Sequence, residues 1–295
     1  SNIILDQGPN LPTWMPKNYS NKSYGTMTFR KALETSNNLV TLKIGLDLGL
    51  PAINSFFNNI NLYQNNKPND VYSLLLGAIE NNLLNITKSY SLFINGGYDV
   101  SPNIIKKVVS DTGQLIANQD YYECKFCKFN IDDRSYRKPI IKPNNLNSIT
   151  PQTSFQILNI LRGSVERGTG KSLNEIDYPI AGKTGTTNDS KDLWFFGLTP
   201  KFVVGVYVGY DKPKKIGYKE TGSSVALPVF KSFMKEYLLT NNDTDNDAFF
   251  IPKNLILKKI DINNGLFSDQ DNSIFEYFTK DQLETINNLN KVDNI

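Results

Sequence analysis

The 295-residue chain contains no histidine at all. That removes every mechanism built on an imidazole base, including Ser-His-Asp hydrolysis, and it removes His-ligated zinc. Acid–base chemistry here falls to Lys, Asp, Glu, Tyr or Ser. Cysteine is nearly as scarce. The two present, Cys124 and Cys127, are spaced CxxC, and two thiolates without histidine cannot complete a four-ligand zinc site. A redox CxxC normally opens a helix in a βαβ setting. Here Tyr121-Tyr122-Glu123 precedes and Lys125-Phe126 intervenes, in a loop-like stretch. A small disulfide in an oxidising compartment and a pair of unpaired loop thiols both fit; the disulfide is favoured by the compartment inferred below.

Long apolar runs are also missing. None approaches the roughly 20 residues of a membrane span. Long basic runs are absent and the formal net charge is only +3, so an electrostatic nucleic-acid footprint is unsupported. The start, Ser1-Asn2-Ile3-Ile4-Leu5-Asp6, has neither the basic flank nor the cleavage site of a signal peptide. It reads like the interior of a protein, and residue 1 is expected to be a truncation point.

What is present suffices for a folded core: 39% of residues are hydrophobic and 12% aromatic. From Thr28 a helical pattern begins, with Phe29, Ala32, Leu33, Ser36 and Val40 on one stripe. Ser36-Asn37-Asn38 is a poor helix interior and predicts a break there. A second helix is expected through Val40–Leu48, stopped near Gly49 and Pro51. Residues 72–95 form a long apolar-periodic stretch ended by Gly96-Gly97. Ile104–Val109 and Gln114–Ala117 read as a hairpin. Thr150-Pro151 opens a helix, with Thr as cap and Pro at its first position. Three strands are predicted at Tyr178–Thr186, Leu193–Leu198 and Phe202–Tyr210, then a helix from Pro228 with Phe230, Phe233, Met234 and Tyr237 on one side. Helices followed by antiparallel strands and a closing helix argue for an α+β fold. Residues 1–240 are read as one domain, with 118–147 an insertion or excursion, and 241–295 as a linker and short β-containing tail.

The chemistry centres on Ala181-Gly182-Lys183-Thr184-Gly185-Thr186-Thr187. A bare Lys-Thr-Gly is weak in a lysine-rich chain, and its plain reading is a surface lysine in a turn or strand. The context is less ordinary. The motif follows a short apolar strand, and Gly185 allows a second backbone to approach, as a peptide lying along the strand requires. Lys183 supplies positive charge. Thr184, Thr186 and Thr187 supply hydroxyls suited to a carboxylate.

These residues resemble the penicillin-binding and serine β-lactamase superfamily, whose motifs are SxxK, SxN and KTG. The similarity to bifunctional (class A) penicillin-binding proteins extends through Thr187-Asn188-Asp189, Asp192-x-Trp194-Phe195-x-Gly197-x-Thr199-Pro200 and Gly205-Val206-Tyr207-Val208-Gly209-Tyr210-Asp211. Arg162-Gly163, Glu166-Arg167-Gly168-Thr169-Gly170, Leu76-Gly77-Ala78 and Asn95-Gly96-Gly97 follow in family order, so the resemblance covers roughly residues 1–265. SxN occurs at Ser36-Asn37-Asn38, Ser101-Pro102-Asn103 and Ser172-Leu173-Asn174. The order favours Ser36 and Asn38; the bland alternative is a capping cluster at a helix break. SxxK occurs at Ser135–Lys138 and Ser232–Lys235, both out of order and read as accidental. The true SxxK is therefore expected upstream of residue 1.

The resemblance implies a transpeptidase fold of antiparallel sheet packed on helices, with an all-helical subdomain. It implies acyl transfer from D-Ala-D-Ala stem peptides through a serine ester, inhibited by β-lactams. Ser36 would relay a proton, Asn38 would orient the absent lysine and bind the substrate amide, and Lys183 would hold the field positive. Thr184, Gly185, Thr186 and Thr187 would bind substrate, with the Thr186 N–H as half of an oxyanion hole. No cofactor, metal or nucleic acid is called for. Peptidoglycan stem peptides and β-lactams are the expected partners, beside other possible cell-wall proteins. The intact protein would act outside the inner membrane, held by an N-terminal anchor. A non-catalytic peptide-binding module is the main rival. A serine β-lactamase is a weaker one, because no E-x-x-L-N stretch lies between the second and third motifs; Glu80 and Glu123 are the nearest carboxylates by order.

Overall fold

A computed structural model of the chain describes residues 3–6, 13–20, 24–63, 71–118, 122–125, 140–143, 147–241, 247–270 and 272–292. In chain order the helices are α1 (Phe29–Glu34), α2 (Asn38–Leu48), α3 (Leu50–Asn59), α4 (Leu83–Ser91), α5 (Pro151–Glu166), α6 (Leu227–Thr240) and α7 (Lys280–Val292). The strands are β1 (Lys107–Val109), β2 (Leu115–Asn118), β3 (Tyr122–Lys125), β4 (Ile140–Pro143), β5 (Ala181–Thr186), β6 (Asp192–Leu198), β7 (Val203–Gly209), β8 (Ile256–Asp261) and β9 (Ser273–Phe278). The arrangement is α+β. Strands β5, β6 and β7 form an antiparallel sheet in that order, and three hairpins, β1–β2, β3–β4 and β8–β9, stand apart from it.

Residue alternation gives the sheet two buried faces. In the register, Thr184 opposes Phe195 and Lys183 opposes Phe196, so Phe195 and Phe196 point to opposite sides. Phe195 packs at 5.0 Å from the Phe230 ring of α6, in a core with Leu227 and Met234. Phe196 stacks on Tyr90 of α4 at 4.6 Å. On that second side Leu198 and Ala181 meet Phe155, Leu158 and Leu161 of α5. Gly197 exists because of α6: a Cβ there would lie 2.2 Å from the Phe230 ring.

The three sheet strands, the hairpin at 104–117, and the helices from Thr150 and Pro228 fall where the sequence predicts them, within a few residues. Gly49 (φ 79°) ends α2 as expected, and α3, a helix not predicted from the sequence, follows at once from Leu50 with Pro51 in its first turn, where proline's fixed φ is suited. Two expectations change. The stretch from 72 to 95 is not continuous. A short 3₁₀ turn ends at left-handed Gly77, and α4 starts only after the Asn82 cap, whose side chain accepts from the Asn85 N–H at 2.8 Å. On α1 the expected apolar stripe holds only in part: Ala32 is buried and Leu33 packs on the core, but Phe29 is 45% exposed, while the charged Arg30 and Glu34 are buried.

The C-terminal hairpin lies against the helices. Phe155 of α5 meets Tyr277 edge-on at 5.0 Å, and Gln156 Nε2 donates to the Tyr277 carbonyl at 2.7 Å. Thr28 Oγ1 donates to the Ile262 carbonyl at 2.7 Å. Arg30 forms a fork with Glu276 of β9, its Nη2 donating to Oε1 at 2.5 Å. The possible Cys124–Cys127 disulfide and the Ser135–Lys138 quartet lie outside the described residues or side chains. Among the described residues no single helix is long and apolar enough to cross a membrane.

Candidate active site

Helix α1 ends in a way that places Ser36. The Ser36 N–H donates to the Leu33 carbonyl (3.2 Å) and the Asn37 N–H to the Ala32 carbonyl (2.8 Å). That pair of bonds is the Schellman motif, whose turning residue is left-handed and is usually glycine. Ser36 fills that position with φ 56°. A side chain there costs about 1 kcal/mol relative to glycine. Asn37 then caps α2, accepting from the Val40 N–H at 3.1 Å. So the break predicted at 36–38 is two back-to-back caps with a hydroxyl at their junction.

Strand β5 supplies the other half. It pairs with β6 on one side only, and no strand occupies its outer edge among the described residues. Lys183 is partly buried and points to the helical side of the sheet. Its Nζ donates to Ser36 Oγ and to the Thr184 carbonyl at 2.9 Å. Residues 147 positions apart in sequence thus meet in one cluster. Desolvation pulls the Lys183 ammonium down from the ordinary 10.5 to about 8, since both of its partners are neutral. Near neutral pH it stays charged yet can give up a proton at modest cost. A lysine tuned this way beside a serine hydroxyl can pass a proton or hold an anion.

The remaining predicted residues sit around this pair with partners of their own. The Thr184 hydroxyl pairs with Thr169 Oγ1 at 2.9 Å. The Thr186 hydroxyl accepts from the Gly222 N–H at 3.0 Å, which leaves its proton to donate. Thr187 belongs to the turn into β6: its hydroxyl donates to Asp192 Oδ2 (3.0 Å) and accepts the Asp192 N–H (2.9 Å). Asn38 Nδ2 donates to the Lys17 carbonyl at 2.9 Å. Gly185 has ordinary φ; a Cβ there would meet the Trp194 Cβ at 3.1 Å. Behind the strand, a wide turn at Gly222–Ala226 presses so closely that a Cβ on Gly222 would lie 2.6 Å from the Gly185 carbonyl oxygen.

Of the SxxK-like quartets, Ser232 is exposed on α6, and Lys235 is paired with Glu175 at 2.7 Å. Neither touches the Ser36–Lys183 cluster. Sequence reasoning missed Glu34 and gave Thr169 no role. Glu34 left no signal, being a charged residue in a helix taken for apolar. The Gly-Thr-Gly run around Thr169 was visible as a pattern, but its purpose needs the contacts.

The penicillin-binding protein transpeptidase domain family matches residues 4–235. The chain is 37% identical to penicillin-binding protein 1A of Rickettsia conorii, over 99% of this chain and 36% of that protein. It is 33% identical to penicillin-binding protein 1A of Neisseria lactamica, over 78% of this chain and 27% of that one. The crystal structure of penicillin-binding protein 1A from Haemophilus influenzae matches with a TM-score of 0.77 at 26% identity, covering 95% of this chain and 44% of that chain. An imipenem acyl-enzyme complex of penicillin-binding protein A from M. tuberculosis shares the fold alone, at a TM-score of 0.56 and 16% identity, over 80% of this chain and 53% of that one. The chain spans little more than a third of the length of the Rickettsia relative, 36%. With its Ser36–Lys183 pair beside an open strand edge, the chain belongs to the penicillin-binding protein transpeptidase family.

Proposed function

We propose that this chain forms most of the acyl-transfer site of a D,D-transpeptidase that cross-links peptidoglycan stem peptides and is blocked by β-lactams. The observation that carries this is the Lys183 ammonium on the Ser36 hydroxyl, at a strand with a free edge. An extended peptide can add to that edge by backbone hydrogen bonds. Running antiparallel to β5, its C-terminus comes to lie by Lys183, where positive charge suits a terminal carboxylate.

The serine that attacks the penultimate carbonyl, and the lysine that serves as its base, come in this reading from a segment outside the given sequence. Attack forms a serine ester and releases D-alanine. The amine of a second stem then displaces the serine, making the cross-link. Ser36, fed by Lys183, hands the proton to the departing amine. Asn38 orients the incoming lysine, and the Thr186 N–H with a second donor holds the developing oxyanion. Thr186 donates its free hydroxyl proton to the carboxylate; Thr184 and Gly185 shape the same strand, and Thr187 holds the turn that follows it. Catalysis takes place on the extracytoplasmic side of the inner membrane, where the stem peptides are.

The test is covalent labelling by a fluorescent penicillin, read by gel and located by mass spectrometry. The given chain is expected to stay unlabelled, while a chain extended upstream through an SxxK serine is labelled there. Label on Ser232 or Ser135 of the short chain would overturn the assignment.

A further inference from the structure

The Ser36 and Lys183 segments meet through an interface that neither motif explains. Glu34, two residues before Ser36, has a side chain only 2% exposed. It accepts from Arg30 Nη1 at 3.1 Å and from both arms of Arg167, Nη2 to Oε1 at 2.7 Å and Nε to Oε2 at 3.2 Å. Arg30 is balanced in turn by Glu276 of β9. Arg30 and Glu34 are enclosed, while Arg167, its side chain 34% exposed, also donates to Glu166 at 2.6 Å; opposite charges thus face each other wherever the network enters the interior, which makes its burial tolerable.

Arg167 is followed at once by Gly168 and Thr169. A Cβ on Gly168 would lie 2.1 Å from the Glu34 carbonyl oxygen, and one on Gly163 would lie 1.8 Å from Glu34 Oε1. The turn is therefore pressed onto the end of α1. From there Thr169 reaches three segments. Its N–H donates to the Glu34 carbonyl at 3.3 Å. Its hydroxyl shares a 2.9 Å hydrogen bond with Thr184, the neighbour of Lys183. Its carbonyl accepts from Ser223 Oγ at 2.9 Å, in the turn behind β5.

We propose that Thr169, locked in place by the Arg167–Glu34 fork, is a positioning residue that sets the distance between the Ser36 hydroxyl and the Lys183 ammonium. It touches neither group. It fixes the backbone two residues before one of them and the side chain next to the other. A bridge this short admits little slack, and proton relays lose efficiency when donor and acceptor drift beyond hydrogen-bond reach. The kinetic arm of this proposal rests on the acyl-transfer reading; the spectroscopic arm does not.

The test compares wild type, Thr169→Val and Thr169→Ser. Valine keeps the bulk and the N–H but lacks the hydroxyl; serine restores it. The first readout is the titration of Lys183 in the given chain, followed by side-chain NMR and assigned with Lys183→Arg. In Thr169→Val the site loosens and hydrates, and the Lys183 midpoint rises by about one unit towards that of free lysine. Thr169→Ser returns it. The second readout is the penicillin acylation rate of the upstream-extended protein. Thr169→Val lowers it about 10- to 100-fold, Thr169→Ser recovers most of it, and thermal stability tracks neither change. An unchanged Lys183 midpoint in Thr169→Val overturns the proposal whatever the acylation data show. If wild type is never acylated, the acyl-transfer reading fails while the titration still decides the positioning role.

Discussion

At the scale of single residues, Ser36 holds a conformation that its side chain resists. The left-handed slot at the end of α1 suits glycine, so Ser36→Gly should stabilise the fold by about 0.5–1 kcal/mol. The same change deletes the hydroxyl that Lys183 contacts. Urea melts should show the gain, while penicillin acylation of the upstream-extended protein should fall by at least about 10²-fold. Ser36→Ala should lose the same activity without the gain. Lys183 gives the matching electrostatic prediction. Its folded value of about 8 lies below its ordinary 10.5. Between those limits the unfolded chain binds more protons, so stability rises with pH there. The penalty is full below pH 8 and has vanished above 10.5, a difference of about 3 kcal/mol. Comparing wild type with Lys183→Met across that window isolates the contribution, since the other lysines and tyrosines cancel. Affinity for a carboxylate-terminated peptide should run the other way and fall as pH rises through about 8.

At the scale of elements, most of what the sequence discloses is what apolar periodicity can encode. Strands β6 and β7 are short runs rich in Val, Leu and aromatic residues, as a sheet covered on both faces requires, and α5 and α6 start at a Thr-Pro and a Leu-Pro step that propensity alone identifies. The same logic held only in part at α1, where Arg30 and Glu34 are buried beside the expected Ala32. Periodicity treats charge as a mark of solvent, and a buried ion cluster inverts that rule. Its partners, Glu276 and Arg167, stand 246 and 133 residues away, beyond any local signal. The KTG and SxN residues were legible as a pattern; the tight turn that joins them was not. Steric closeness makes that turn testable. Gly168→Ala puts a methyl against the Glu34 carbonyl and should cost about 2–3 kcal/mol, as overpacking of a fixed backbone does. Differential scanning calorimetry of the variant measures it.

At the scale of the whole molecule, the C-terminal hairpin acts as part of the same body although the family match stops at residue 235. Removing residues 241–295 leaves Arg30 without Glu276 and uncovers Phe155 where Tyr277 covered it. Stripping one member from a buried pair costs about 3–5 kcal/mol, so the shortened chain should melt well below the full one. Glu276→Gln in the full chain should reproduce a large part of that loss. A shortened chain as stable as the original would show the hairpin to be dispensable.

The 147-residue span between the Ser36 hydroxyl and the Lys183 ammonium also has a temporal consequence. Closing a loop of that length carries an entropic penalty of about 4 kcal/mol before any local gain, and contacts of high sequence separation form late in folding. During synthesis the helices through α5 leave the ribosome before β5 does, so a nascent chain holds Ser36 in its helical wall before Lys183 can reach it. The Ser36–Lys183 contact is therefore expected to close only when the sheet docks onto helices already made.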